Sequence, residues 1–161
     1  MANPLVAIVG RPNVGKSTLF NKIAGRKISI TENRPGVTRD RLYADAVWRG
    51  KKFTVVDTGG IELKSADVLW KEILRQADAA IDMAQVILWM VDGREELTAA
   101  DRDVAEKLRR SKKPVILVIN KVDHFSQDKL FEYYSLGLGE PYAISAEHSQ
   151  GIGDLLDEVV S

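Results

Sequence analysis

The sequence of 161 residues contains no cysteine. Disulfides, cysteine nucleophiles and thiolate metal sites are therefore excluded, and the composition fits a reducing compartment. An excess of either charge is also missing: 23 Lys and Arg stand against 23 Asp and Glu, a formal net charge of zero. No global basic field drives nonspecific attachment to nucleic acid or to an anionic membrane, although a local basic patch stays open. Long hydrophobic runs are absent as well. Apolar stretches such as residues 86–91 fall far short of the ~20 residues a membrane span needs. The opening Met-Ala-Asn-Pro carries neither a basic n-region nor an apolar h-region, so no signal-type segment is read there. What remains is 45% hydrophobic and 29% charged, an ordinary globular mix. Length and composition together predict one soluble, cytoplasmic domain over residues 1–161, with no membrane partner.

Apolar runs of strand length alternate with longer stretches of helical spacing. Residues 5–9 form a buried run that ends in Gly10, and 16–24 read as a helix stopped by Gly25. A polar loop follows over 26–40. Strands are predicted over 42–48 and 53–56, with Arg49-Gly50 as a hairpin turn. Helical spacing recurs over 66–83, where Val68, Leu69, Ile73, Ala77 and Ile81 share one face. Residues 86–91 are apolar throughout, as in a central strand covered on both faces. Thr98 and Asp101 form a capping-box pattern that opens a helix to Arg110. A strand over 115–119, a short helix over 127–136, a strand over 142–144 and a final helix over 154–160 complete the pattern. Such alternation predicts a doubly wound α/β sheet, six-stranded and mostly parallel, with helices on both faces. The hairpin makes one edge strand antiparallel. The brevity of the last helix leads to the expectation that the sequence is part of a longer chain.

Gly10-Arg11-Pro12-Asn13-Val14-Gly15-Lys16-Ser17, followed by Thr18, matches G-x-x-x-x-G-K-[ST]. The glycines let the backbone curl so that successive N–H groups face phosphate oxygens. Lys16 adds charge at the β- and γ-phosphates, Ser17 offers a hydroxyl to Mg²⁺, and the helix from Lys16 points its positive end at the phosphates. By composition this pattern arises by chance in roughly one such chain in 200. Asp57-Thr58-Gly59-Gly60 ends a strand. Its composition is weak evidence, but an acid at that place can hold Mg²⁺ through water and the Gly60 N–H can sense a γ-phosphate. Asn120-Lys121-Val122-Asp123 ends another strand. The Asp123 carboxylate can accept from the ring N–H and exocyclic amine of guanine, a donor pair that adenine lacks. Asn120 can brace the loop, and the stem of Lys121 can lie over the ring. Ser145-Ala146-Glu147 ends the last strand, and the Ala146 N–H is placed to donate to the guanine carbonyl. All four segments fall at the C-terminal ends of strands, where open α/β sheets bind ligands. Of the loop threonines Thr31 and Thr38, the favoured one to complete the Mg²⁺ shell is Thr38, after Pro35-Gly36-Val37.

The order of these motifs resembles the translation-factor-like small GTPases. Within them, Pro35-Gly36-Val37-Thr38-Arg39-Asp40 and Asp57-Thr58-Gly59-Gly60-Ile61 resemble the first GTPase domain of the EngA (Der) family of bacterial ribosome-assembly GTPases. Gly59 departs from the Asp-Thr-Pro-Gly usual in the neighbouring Era family. The resemblance covers essentially the whole sequence. It implies a P-loop GTPase that turns GTP into GDP and phosphate with Lys16, Thr38 and Gly60 as catalytic groups. It also implies binding to the large ribosomal subunit, and a second GTPase domain and a KH-like domain in cis. Where signalling GTPases carry a water-orienting glutamine, this sequence has Ile61. The resemblance implies potassium in compensation, with Asn13 as its side-chain ligand. The alternative reading is a guanine-nucleotide-dependent interaction module with negligible turnover.

Overall fold

The computed structural model describes residues 4–11, 14–24, 42–58, 66–121, 127–147 and 150–161. In chain order the elements are β1 (Leu5–Gly10), α1 (Lys16–Ala24), β2 (Leu42–Trp48), β3 (Lys51–Asp57), α2 (Ala66–Met83), β4 (Val86–Asp92), α3 (Ala99–Arg110), β5 (Val115–Asn120), α4 (Gln127–Tyr134), β6 (Tyr142–Ala143) and α5 (Ile152–Val160). The six strands form one sheet in the order β2-β3-β1-β4-β5-β6. Only the β2–β3 pair is antiparallel. The expected architecture is thus the observed one.

Side-chain alternation along each strand divides the core into two layers. Val6 and Ile8 of β1, with Leu88 and Met90 of β4, pack beneath Leu19, Phe20 and Leu155 of α1 and α5. Their neighbours Ala7, Val9, Ile87 and Trp89 face the other way, onto Ile73 and Ala77 of α2 and Val104 and Leu108 of α3. This double burial is why the central strands read as unbroken apolar runs. Trp89 serves this packing and is 2% exposed.

The hairpin and the caps fix the ends of the elements. Arg49 and Gly50 both have positive φ, 51° and 80°, as a type I′ turn requires, and Trp48 pairs directly with Lys51. The Thr98 hydroxyl accepts from the Asp101 N–H while the Asp101 carboxylate accepts from the Thr98 N–H, the reciprocal box predicted for α3. α5 starts two residues earlier than the apolar spacing indicated, after Gly151 in the left-handed region. Trp48, at the end of β2, is more than packing. Its indole Nε1 donates to Asp157 Oδ1 at 2.7 Å, and Arg49 Nε donates to the same oxygen at 2.6 Å. Those two donors, the indole first, hold the Asp157 carboxyl below its ordinary value.

Candidate nucleotide-binding groove

Four parallel strands deliver the motif segments to one edge of the sheet: β1 ends at Gly10, β3 at Asp57 and β5 at Asn120, with Ser145 just beyond β6. Beside the ends of β5 and β6 and the start of α1 lies an open groove of about 520 Å³, lined by Gly15, Thr18, Arg94, Asn120, Lys121, Ser145 and Glu147. That volume suits a ligand of nucleotide size.

Asn120, 2% exposed, gathers three of these segments. Its Nδ2 donates to the Val14 carbonyl at 2.8 Å, and its Oδ1 accepts the Ala146 N–H at 2.9 Å. Its own carbonyl accepts the Gly93 N–H at 2.8 Å. Gly15 packs against the same amide with φ of +106°, and a Cβ there would lie 2.1 Å from Asn120 Nδ2. The second glycine of the P-loop pattern is therefore required twice, by backbone conformation and by contact. The bracing role expected of Asn120 is present. The Ala146 N–H, expected to face a guanine carbonyl, is instead donated to Asn120.

Outside this lining, toward β3, Lys16 is 6% exposed. Its Nζ lies 3.4 Å from Asp57 Oδ1 and 3.2 Å from Gln76 Oε1. Burial pushes this ammonium below its ordinary value, and the charge and hydrogen bond of Asp57 partly restore it. Ser17 is exposed beside it, at the start of α1. Thr58 faces inward: its hydroxyl donates to the Ile8 carbonyl at 2.7 Å, which makes it a brace between β3 and β1. Arg11 also leaves the groove. It reaches α3, donating to Asp101 Oδ1 at 2.5 Å and to Thr98 Oγ1 at 3.3 Å. Val14 is buried in the core and contributes its carbonyl to Asn120.

One hydroxyl and one carboxylate, from Ser17 and Asp57, are a hard-oxygen donor pair that fits Mg²⁺, an ion that keeps several waters and takes substrate phosphates. Among the described residues no group of three or more His, Cys, Asp or Glu side chains forms a metal cage of its own. Pro12, Asn13, Thr31, Thr38, Gly59, Gly60, Ile61, Val122 and Asp123 lie outside the described residues.

Three participants escaped the motif reading. Gln76 of α2 is 1% exposed and sits against Gly10 and Lys16. A polar amide inside the apolar stripe of Ile73, Ala77 and Ala80 was the available signal. Asp92 and Arg94 stand at the base end, where Arg94 lines the groove. Asp92 accepts from Arg94 Nη2 at 3.0 Å and pairs with Lys121 Nζ at 3.5 Å. Burial pushes the Asp92 carboxyl up, but the bonds from Arg94 and the charges of Arg94 and Lys121 outweigh it and leave the group below its ordinary value. Here the signal was an acid at a strand end, hidden because the apolar run stops one residue before it.

Residues 5–121 match the family described as "50S ribosome-binding GTPase". GTPase Der of Clostridium perfringens is 58% identical over 161 residues, a match covering 99% of this chain and 37% of that protein. The chain thus spans little more than a third of the length of these relatives. Era of Aquifex aeolicus, in a structure bound to GDP·AlF4⁻, superposes with a TM-score of 0.73 at 33% identity, over 99% of this chain and 56% of that one. The G domain of Thermotoga maritima FeoB follows at a TM-score of 0.68 and 28% identity, over 98% and 96% of the two chains. The matched family span begins with β1 and runs through the Asn120-Lys121 turn, taking in Lys16, Asp57 and the Asn120 brace: this chain belongs to the 50S ribosome-binding GTPase family.

Proposed function

We propose that residues 1–161 form a single domain that binds GTP and GDP and hydrolyses GTP to GDP and phosphate. The observation that carries this reading is the Asn120 side chain, which ties the P-loop carbonyl of Val14 to the Ala146 N–H and so draws phosphate and base segments around one groove. Lys16 serves the β- and γ-phosphates, and Ser17 and Asp57, with Thr38, hold Mg²⁺, which supplies positive charge where the β–γ bond breaks. The Gly60 N–H serves the γ-phosphate. Asp123 reads guanine, and Asn13 offers an oxygen to a potassium ion beside the phosphates. With Ile61 in place of a glutamine, attacking water is oriented by backbone groups or another side chain, and turnover is slow. The family description supports a partner in the large ribosomal subunit, reached in the cytoplasm through a longer protein with a second GTPase domain and a KH-like domain.

Competition titration tests the base assignment. Wild type should prefer GDP to ADP, and Asp123→Asn should lose GDP affinity by on the order of 1–3 kcal/mol while gaining xanthosine diphosphate. Unchanged GDP affinity in the variant removes Asp123 from the site. Single-turnover hydrolysis in KCl and in NaCl at equal ionic strength then separates an enzyme from a binding module and tests the potassium assignment.

A further inference from the structure

α2 contributes a side chain to the phosphate end that neither the motifs nor the proposed chemistry uses. The Oε1 of Gln76 accepts the Gly10 N–H at 3.0 Å and faces Lys16 Nζ at 3.2 Å. The Thr58 hydroxyl stands 3.2 Å from the same atom, but its single hydrogen is directed to the Ile8 carbonyl at 2.7 Å. An amide oxygen has two lone pairs. The Gly10 N–H and the Lys16 ammonium fill them, and the Thr58 contact, equal in length to that of Lys16, is secondary because the hydroxyl hydrogen goes to Ile8. Flanked by Ile73, Ala77 and Ala80 on the buried side of the helix, this amide is a polar group placed where the helix otherwise buries carbon.

The nature of the acceptor matters. Asp57 and Gln76 both face the ammonium, but only Asp57 compensates its charge. A phosphate that arrives in the groove competes with Asp57 for Lys16, and Asp57 has Mg²⁺ and its water as an alternative partner. The Gln76 oxygen is neutral, so it holds the ammonium in place without weakening its attraction to phosphate. Resting on the GTP-binding reading above, we propose that Gln76 is a positioning residue that holds Lys16 for the phosphates and fastens α2 to the P-loop. The helix that follows Asp57-Thr58-Gly59-Gly60 in sequence is thereby attached to Lys16, the side chain assigned to the β- and γ-phosphates.

A double-mutant cycle on the purified chain, read by titration with a fluorescent GDP and with a nonhydrolysable GTP analogue, tests this. Gln76→Met keeps the length and removes the acceptor. It should weaken both nucleotides about tenfold, the loss of one hydrogen bond to a charged group, and should have less than about a twofold effect in the Lys16→Ala background. Equal losses in both backgrounds would show that Gln76 acts through the fold and overturn the proposal. So would no loss in the wild-type background. Gln76→Glu supplies a second test if the methionine variant unfolds or if Lys16→Ala binds too weakly to measure. The carboxylate keeps an acceptor for Gly10 but places a second buried acid beside Asp57, so the urea midpoint should fall, and GDP affinity measured without urea, where the variant is still folded, should fall at least tenfold and by more than the midpoint shift accounts for. Affinity that tracks the urea midpoint in this variant would equally overturn the role. Wild-type protein that takes up no guanine nucleotide would defeat the function on which the proposal stands, and is distinguished by that first titration.

Discussion

Two regions of this sheet edge, one around Asn120 and one around Lys16, are held by different chemistry; on the proposed function they are the base end and the phosphate end. At the base end the central brace is neutral: the Asn120 amide donates to Val14 and accepts from Ala146, and every participant is protein. Of the charges there, the Asp92 carboxylate is buried, but its cationic partners Arg94 and Lys121 reach toward solvent. At the phosphate end the charge is buried. An ammonium and a carboxylate face each other at 6% and 2% exposure, with an amide oxygen beside them. A neutral brace needs no ligand to complete it. A buried ammonium carries a desolvation cost that a phosphate can offset when it arrives. The Asn120 brace is thus complete without a ligand, and on the proposed function the Lys16 end is where binding can change the protein.

The most damaging way to break this contrast is Gly15→Ala, at the point where the ends touch. The new methyl meets the Asn120 amide and the residue must keep a left-handed backbone. Strain and a displaced buried hydrogen bond together should cost about 2–5 kcal/mol in urea unfolding, and GDP binding should be lost with it. A smaller effect isolates the base end. Asp92→Asn should cost about 1–2 kcal/mol near neutral pH, discounted because Arg94 stands in solvent. Because the folded carboxyl lies below its ordinary value, the unfolded chain takes up the proton first as pH falls. The advantage of Asp92 over Asn is full above the ordinary carboxylate range and disappears as pH drops through the folded value. Parallel urea curves for the two proteins from neutral to acidic pH check this, and a difference that does not shrink would remove the charge from the explanation. The smallest effect should come from Thr98→Ala, which removes half of the α3 capping box. About 1 kcal/mol of stability should go, with GDP affinity changed less than about twofold, since Arg11 keeps Asp101 as a partner and points away from the groove. A larger loss of affinity would bring the α3 cap into the phosphate end.

Local pattern carried most of the fold. β2 and α1 have the bounds expected from their apolar runs and flanking turns, and α3 starts at the predicted cap. Ends slipped by one or two residues where a polar residue continues a strand, as Asp92 does in β4 and Asn120 in β5. The motif segments came to one sheet edge because strand ends, which are local features, were enough to place them. What sequence could not supply was the destination of individual side chains. Arg11 and Asn120 find partners 90 and 106 positions away. Gln76 looks like an interruption of an apolar stripe until Gly10 and Lys16 are placed against it. The Ala146 N–H has its partner in Asn120, one strand over, and no spacing rule reports that.

The sheet order has a consequence for how the chain is made. β1 lies in the middle of the sheet, paired on one side with β3 and on the other with β4. During synthesis it leaves the exit tunnel well before either neighbour, and at about 5–20 residues per second the second of them follows only after several seconds. For that time a bare apolar strand, four of whose six residues are 2% exposed or less once folded, has no lasting cover. Nascent chains released before residue 86 should aggregate, and those carried past residue 92 should hold β1 on both edges.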